Sequence, residues 1–295
     1  MSTSTYLSLN GEIINENDSV LLNNRGFLFG DGFFESMHWC VKSSGSEKSG
    51  SGSLNNGRIL FWDDHVERIN YAFNLLKLDK SEIDISILMQ QINELVAKNN
   101  IVGDARVRMT FYRISEGNYT PSKNKTGWMI NARPLDIYGF AFNEKGLNIG
   151  IFSGQTKSRS SISNLKTLNS LVYVLAGMYA RENNWDDILI LNDAGNIIEA
   201  HTSNIFIVQN NTLYTPPLTD GCVNGVMRKQ VIRLAEKAGI DCIEKSLFQN
   251  DIDEADEVIL SNAVQGIRWV ERSGNNIYSK KICNQLFTEL KFITK

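Results

Sequence analysis

The chain is predicted to fold as an α+β protein of two lobes, and three features of its 295 residues carry that expectation. Short apolar runs of strand type are interleaved with amphipathic stretches at helical spacing. A hydrophobic fraction of 42% is enough for sizeable cores. One interior stretch, 134–145, reads as a linker, which separates a smaller N-terminal α+β lobe over 1–133 from a larger C-terminal lobe, mixed β with helices, over 146–295.

In the first lobe strands are expected near 5–9, 34–41, 58–62 and 105–113, with Trp128–Arg133 closing the lobe. The run from Asp104 to Arg113 alternates in strand fashion, so Arg106 and Arg108 share a face and Arg113 falls at the strand end. Helices are expected near 63–77, where Ile69, Ala72, Phe73 and Leu76 form a stripe, and near 84–99. The Ser/Gly-rich run from Ser43 to Ser53 reads as the long loop of a hairpin, an insertion of the tolerated kind.

In the second lobe strands are expected near 147–153, 187–192, 197–200, 204–209 and 257–260. Asp193-Ala194-Gly195-Asn196 supplies the turn of one hairpin, and His201-Thr202-Ser203-Asn204 is a second turn-like cluster. Helices are expected near 168–183, 226–239 and 280–291, the last packing on this lobe. The first of them carries Leu168, Leu171, Val172, Leu175, Met178 and Tyr179 as its apolar stripe.

Several function classes recede on composition. A net charge of −3 lacks the basic footprint of a nucleic-acid binder. No run is long and apolar enough to span a bilayer, and the first residues lack the regions of a signal peptide. The four cysteines form no C-x-x-C, which fits a reducing cytoplasm. The three histidines are scattered and show no metal-binding spacing, so no metal is expected.

Three groups carry chemical interest. Lys166 lies where a strand-like run and polar loop give way to an apolar helix. It is either a solvated surface charge or an amine desolvated enough to attack an aldehyde. Glu199, on the return strand of the apolar hairpin, is either an edge charge or a carboxylate aimed at a cationic ring nitrogen. An anion site has three candidate parts. Asn224-Gly225-Val226-Met227-Arg228 opens an amphipathic helix, where N–H groups and the dipole favour a phosphate. Ser261-Asn262-Ala263 offers donors at a strand end, and Arg68 a guanidinium in the first turns of a helix. Each also has a plain structural reading.

Taken together these residues resemble the class IV aminotransferases, the fold-type IV pyridoxal-phosphate enzymes. That family includes branched-chain and D-amino-acid aminotransferases and aminodeoxychorismate lyase. The motifs, in the family's order, are Asn23 to Glu35, His65-Val66-Glu67-Arg68, the Lys166 segment, Glu199 to Phe206, and Asn224 to Arg228. The resemblance implies a two-lobed fold like that of D-amino-acid aminotransferase, pyridoxal 5'-phosphate as cofactor, a small amino substrate and a homodimer. It implies Lys166 as the lysine that binds the cofactor covalently and moves the proton, and Glu199 as the partner of the ring nitrogen. Arg68, Asn204, Gly225, Val226, Met227, Ser261, Asn262 and Ala263 fall at cofactor-binding positions. Arg108 and Arg113 are the candidates for a substrate carboxylate, and Phe34 for the pocket wall. Arg25 is expected to be structural. Leu171 stands where branched-chain enzymes carry a tyrosine, and Lys166-Thr167-Leu168-Asn169 and Ser261 to Ile267 are similar to the lyases. The expected activity is therefore the lyase, forming 4-aminobenzoate and pyruvate. The alternatives are an amino-acid aminotransferase using 2-oxoglutarate and, more remotely, a non-catalytic cofactor-binding relative.

Overall fold

The structure, a computed structural model, describes residues 5–16, 24–41 and 57–294. Asn23 and the Ser43–Ser53 run lie outside the described residues. The chain forms two compact units: Met1–Gly139 with Lys166–Asn169, and Phe140–Leu165 with Ser170–Lys295.

The first unit contains strands β1 (Tyr6–Leu9), β2 (Glu12–Asn15), β3 (Gly32–Val41), β4 (Gly57–Ile59), β5 (Ala105–Arg113) and β6 (Thr126–Pro134). They form one antiparallel sheet in the order β2-β1-β6-β5-β3-β4. Helices α1 (Arg25–Phe29), α2 (Trp62–Leu75) and α3 (Ile85–Lys98) accompany it. Strand alternation sends Phe33, Met37, Trp39, Val107, Met109, Phe111 and Ile130 into the core, with Ile69 and Phe73 of α2 and Leu88, Ile92 and Leu95 of α3. Phe33, Phe73 and Phe111 pack ring against ring at 4.9–5.3 Å. The other face of the sheet presents Phe34 and Ser36, and register pairs Phe34 with Thr110 and Ser36 with Arg108.

Lys166–Asn169 was expected in the second lobe but packs in the first unit. Phe34 donates its N–H to the carbonyl of Lys166 at 2.8 Å, Leu168 donates to the carbonyl of Gly32 at 3.1 Å, and Thr167 bridges Phe33. The lysine segment is thus an extended chain laid along the start of β3. Gly32 makes this possible, since a Cβ there would stand 2.2 Å from the carbonyl oxygen of Phe111 and 2.9 Å from Leu168. Because residues 166–169 are extended, the helix expected from 168 starts later, as α4 (Leu171–Glu182). Its expected apolar stripe is split: Leu171, Leu175 and Met178 are exposed, as is Val174 beside them, whereas Val172 and Tyr179 pack on the core with buried Ala176 and Ala180.

The second unit holds β7 (Leu147–Ile151), β8 (Asp187–Leu191), β9 (Ile197–Ala200), β10 (Asn204–Gln209), β11 (Thr212–Thr215), β12 (Cys242–Glu244), β13 (Glu257–Asn262), β14 (Gly266–Ser273) and β15 (Asn276–Ile277). Its nine-stranded sheet runs β12-β11-β10-β13-β14-β7-β8-β9, with β15 on β14. The pairs β7–β8, β7–β14 and β11–β12 are parallel. Alternation splits the core in two. Ile149, Leu189, Ile205, Ile207, Val258 and Leu260 form one cluster; Phe152, Ile188, Ile190 and Ile198 form the other with Ala176 and Ala180. Helices α5 (Val226–Lys237), α6 (Gln249–Asp253) and α7 (Lys281–Thr294) complete the unit. Buried Glu257 accepts the N–H groups of Ile282 and Cys283 at 2.8 and 2.9 Å, so a carboxylate satisfies two donors in the first turn of α7.

Candidate active site

In the first unit, half-buried Lys166 places its Nζ 5.1 Å from the centre of the Phe34 ring. Arg108 stacks its guanidinium carbon 3.6 Å from the centre of the same ring. Burial, and then the charge of Arg106, push the pKa of Arg108 down to about 10. Among the described residues no carboxylate pairs with Arg108, so a cation is held in a partly dry place by an aromatic face. That is an electrostatic invitation to an anion.

Arg68 is buried and grips Glu35, with Nε to Oε1 and Nη2 to Oε2 both 2.7 Å. His65 Nδ1 lies 2.7 Å from Oε2 of the same carboxylate. Burial alone would raise the Glu35 pKa; Arg68 and His65 outweigh it and hold it at about 2. Arg113 does not serve as the substrate-side arginine the sequence suggested. Its Nε donates to Asp31, its Nη1 to the Lys77 carbonyl and the Asn124 side chain, and its Nη2 to the Leu76 carbonyl. All three nitrogens are committed to clasping loops. A cavity of about 610 Å³ is lined by Tyr112, Arg113, Ile114 and Lys125, and it includes none of Lys166, Phe34 or Arg108. Arg25 ties Asp31 at 2.8 Å and the carbonyls of Gly117 and Asn118, the structural task expected of it.

In the second unit, Glu199 of β9 is buried, 3% exposed, and three donors hold it. Lys157 Nζ and the Tyr173 hydroxyl both donate to Oε1 at 2.7 Å, and the Val223 N–H donates to Oε2 at 2.9 Å. Burial, and then the Glu199 charge, push the Tyr173 phenol well up and the Cys222 thiol up to about 12. Glu199 is therefore an interior carboxylate held by three donors, and not an edge group.

The start of α5 fits a phosphate. Its N-cap is Gly225 and no side chain caps it, so first-turn N–H groups of Val226 and Met227 have no intrahelical acceptor. A Cβ on Gly225 would fall 1.8 Å from the side-chain oxygen of Asn204. In the same unit the Ser261 hydroxyl is buried with no hydrogen-bond partner among the described residues. A cradle of bare amides, a glycine that only a hydrogen can fill and an orphaned hydroxyl suit an oxyanion ligand.

The family model described as amino-transferase class IV matches residues 50–272. The chain belongs to the class IV aminotransferases. Relatives include the branched-chain-amino-acid aminotransferase of Escherichia coli K12, 26% identical over 89% of this chain and 82% of that one. D-alanine aminotransferase of Bacillus licheniformis is 24% identical over 86% of this chain and 83% of its own. In fold, the chain is similar to branched-chain amino acid aminotransferase from Thermobaculum terrenum in its PLP form, with a TM-score of 0.83, 22% identity and coverage of 100% and 95%. These sequence relatives bear aminotransferase names, while one solved structure of similar fold, from Legionella pneumophila, is named a putative 4-amino-4-deoxychorismate lyase (TM-score 0.77, 22% identity). The balance favours the alternative expected from the sequence over the lyase.

Within this family frame two expected cofactor side chains have other work. The amide of Asn204 donates to the Val223 carbonyl at 2.8 Å. Asn262 shapes the turn after β13, accepting from Val264 and Gln265 at 3.0 and 2.8 Å and donating to Ser203 and Gln265. Ala263, in the same turn, offers only backbone. The fold also assembles a cluster that sequence spacing hid: donor atoms of His38, Cys40 and Asp104 lie within 4.8 Å of one another. Asp104 already accepts from His38, Val41 and Gly139, and burial with the Asp104 charge pushes the Cys40 thiol up to about 12. The cluster is a hydrogen-bond hub fastening β3 to the chain around Gly139. Lys157 and Tyr173, the side chains that donate to Glu199, are the partners that sequence reasoning missed. Lys157 sits in a polar loop and Tyr173 in an apolar helix, and neither position carries a local signal.

Proposed function

We propose that this chain is an amino-acid aminotransferase that uses pyridoxal 5'-phosphate and passes the amino group to 2-oxoglutarate. The observation that carries this reading is the shared Phe34 ring, with the Lys166 amine 5.1 Å and the Arg108 guanidinium 3.6 Å from its centre. An amine that attacks an aldehyde and an unpaired cation for a carboxylate are the two things an amino-acid substrate needs.

When bound, the cofactor supplies an aldehyde for the amine and a cationic ring that withdraws electrons from the substrate carbon. Lys166 would hold the cofactor through its Nζ, and the same nitrogen, once displaced by the substrate amine, would carry the α-proton away from the substrate carbon. Glu199 would accept the ring N–H. The amides of Val226 and Met227 and the Ser261 hydroxyl would take the phosphate, a role the resemblance gives also to Arg68, and Gly225 would let the ligand approach the backbone. Arg108 takes a substrate carboxylate, in bidentate fashion, and Phe34 walls the pocket. The exposed stripe Leu171, Val174, Leu175 and Met178, with exposed Phe27 and Leu28, supports a homodimer, because so much apolar surface seeks cover. Four free thiols support a reducing, cytoplasmic home.

The test is direct. Purified protein is supplied with valine, leucine or D-alanine and 2-oxoglutarate in one vessel, and with aminodeoxychorismate in another. Glutamate in the first supports the reading; 4-aminobenzoate and pyruvate in the second, with no glutamate in the first, restore the lyase. Lys166→Ala removes turnover and the borohydride-sensitive band in the region of roughly 400–430 nm. Turnover surviving in that variant ends the mechanism, and a monomer by sedimentation ends the dimer.

A further inference from the structure

Glu199 has more company than a ring-nitrogen partner requires, and the arrangement is asymmetric. A carboxylate offers about four acceptor positions, two on each oxygen. Oε1 receives both the Lys157 ammonium and the Tyr173 hydroxyl at 2.7 Å, whereas Oε2 receives the Val223 N–H alone, at 2.9 Å. Lys157 is itself fixed. Its backbone N–H donates to Leu191 at 2.9 Å, its Nζ donates also to the Ser163 carbonyl at 2.8 Å, and its side chain is 12% exposed. The Lys157 Nζ also stands 5.4 Å from the centre of the Tyr173 ring, so the two donors pack on each other as well as on the carboxylate.

We propose that Lys157 and Tyr173 are positioning residues for Glu199: together they saturate Oε1, so that Oε2 is the oxygen that receives the cofactor ring N–H. The ammonium also pairs with the buried carboxylate in the protein before cofactor arrives, so the acceptor is aimed without reorganisation. The inference rests on Glu199 being the ring partner. It adds residues that act only through Glu199.

A double-mutant cycle tests it. Lys157→Met, Glu199→Gln and the double variant are compared for kcat, KM and the dissociation constant of pyridoxal 5'-phosphate, the last by fluorescence titration of cofactor-free protein. Met matches the apolar stem of lysine, and Tyr173→Phe removes only a hydroxyl, so the Tyr173→Phe cycle serves should Lys157→Met fail to fold. Lys157→Met is expected to lower kcat about tenfold, leave KM within about twofold, and weaken cofactor affinity about tenfold. On the Glu199→Gln background the same substitution should change each quantity by less than about twofold. Equal losses on both backgrounds, or a Lys157→Met enzyme like the parent while Glu199→Gln is crippled, overturn the inference and leave the functional reading standing. A Glu199→Gln enzyme like the parent overturns both.

Discussion

Glu35 and Glu199 are both interior carboxylates facing a basic side chain, yet the two are built differently. Arg68 takes both oxygens of Glu35 at 2.7 Å, and His65 adds a third contact at 2.7 Å. A planar fork matched to a carboxylate, in a fully buried place, makes a closed unit. Around Glu199, two donors crowd one oxygen and a single backbone N–H touches the other. The first arrangement joins a helix to a sheet, since Arg68 is on α2 and Glu35 on β3. The second leaves an acceptor position on the carboxylate. A closed carboxylate stabilises the fold, and an open one can take part in chemistry.

Arg68→Ala should be the most damaging way to break the contrast. It strands the Glu35 charge in the core, and removal of one partner of a buried pair costs about 3–5 kcal/mol. Urea unfolding of the cofactor-free protein measures this directly. The variant should also lose cofactor more readily, because the proposed phosphate contact goes with the guanidinium. Stability within about 1 kcal/mol of the parent would mean that the Glu35 unit is not closed.

Acid should open the same unit by a different route. The Glu35 pKa is held at about 2, below its ordinary 4.5, so its contribution is complete above pH 4.5 and lost as pH falls toward 2. The size is on the order of 3 kcal/mol. His65 adds to the slope: burial lowers its pKa, so protonation favours the unfolded chain as pH falls below its ordinary value of 6.5. In Glu35→Gln, the fall in urea midpoint between pH 4.5 and 2 should be shallower than in the parent. An unchanged slope there would assign the acid sensitivity to other groups.

How far the sequence revealed all this follows from the range of the signals. Alternation from Ala105 to Arg113 is a local signal, and β5 has those bounds. Helical spacing similarly marked α2, α3 and α5, and hydrophobic runs marked β8 and β10. Short elements such as β12 and α6 escaped, because three or five residues show no period. The stretch after Lys166 misled for another reason. Its apolar pattern suggested a helix from 168, but pairing with β3 holds 166–169 extended, and half of the expected stripe, Leu171, Leu175 and Met178 of α4, is exposed. Within the site, Glu199 and Lys166 were legible as residue types at junctions of elements. The partners of Glu35 and Glu199 were not, since 33 positions separate Arg68 from Glu35 and 42 separate Lys157 from Glu199. Arg113 shows the converse error. A strand-end arginine looks available until the fold supplies Asp31, Leu76 and Lys77 as acceptors.

Glu199→Gln should have the smallest effect on stability and, for its size, the largest on function. The amide keeps the shape of the side chain, and its oxygen can still accept from Lys157 and Tyr173. Lys157, 12% exposed and also bound to the Ser163 carbonyl, retains some water and one partner. The expected loss is about 1–2 kcal/mol in urea unfolding, less than half that of Arg68→Ala. Turnover should fall at least about a hundredfold with cofactor still bound, because a neutral amide no longer favours the protonated ring nitrogen. The two substitutions should therefore separate cleanly, one losing fold and the other losing rate. A Glu199→Gln protein that unfolds as readily as Arg68→Ala would show that both carboxylates are structural, and the acceptor position on Oε2 would then have no chemical purpose.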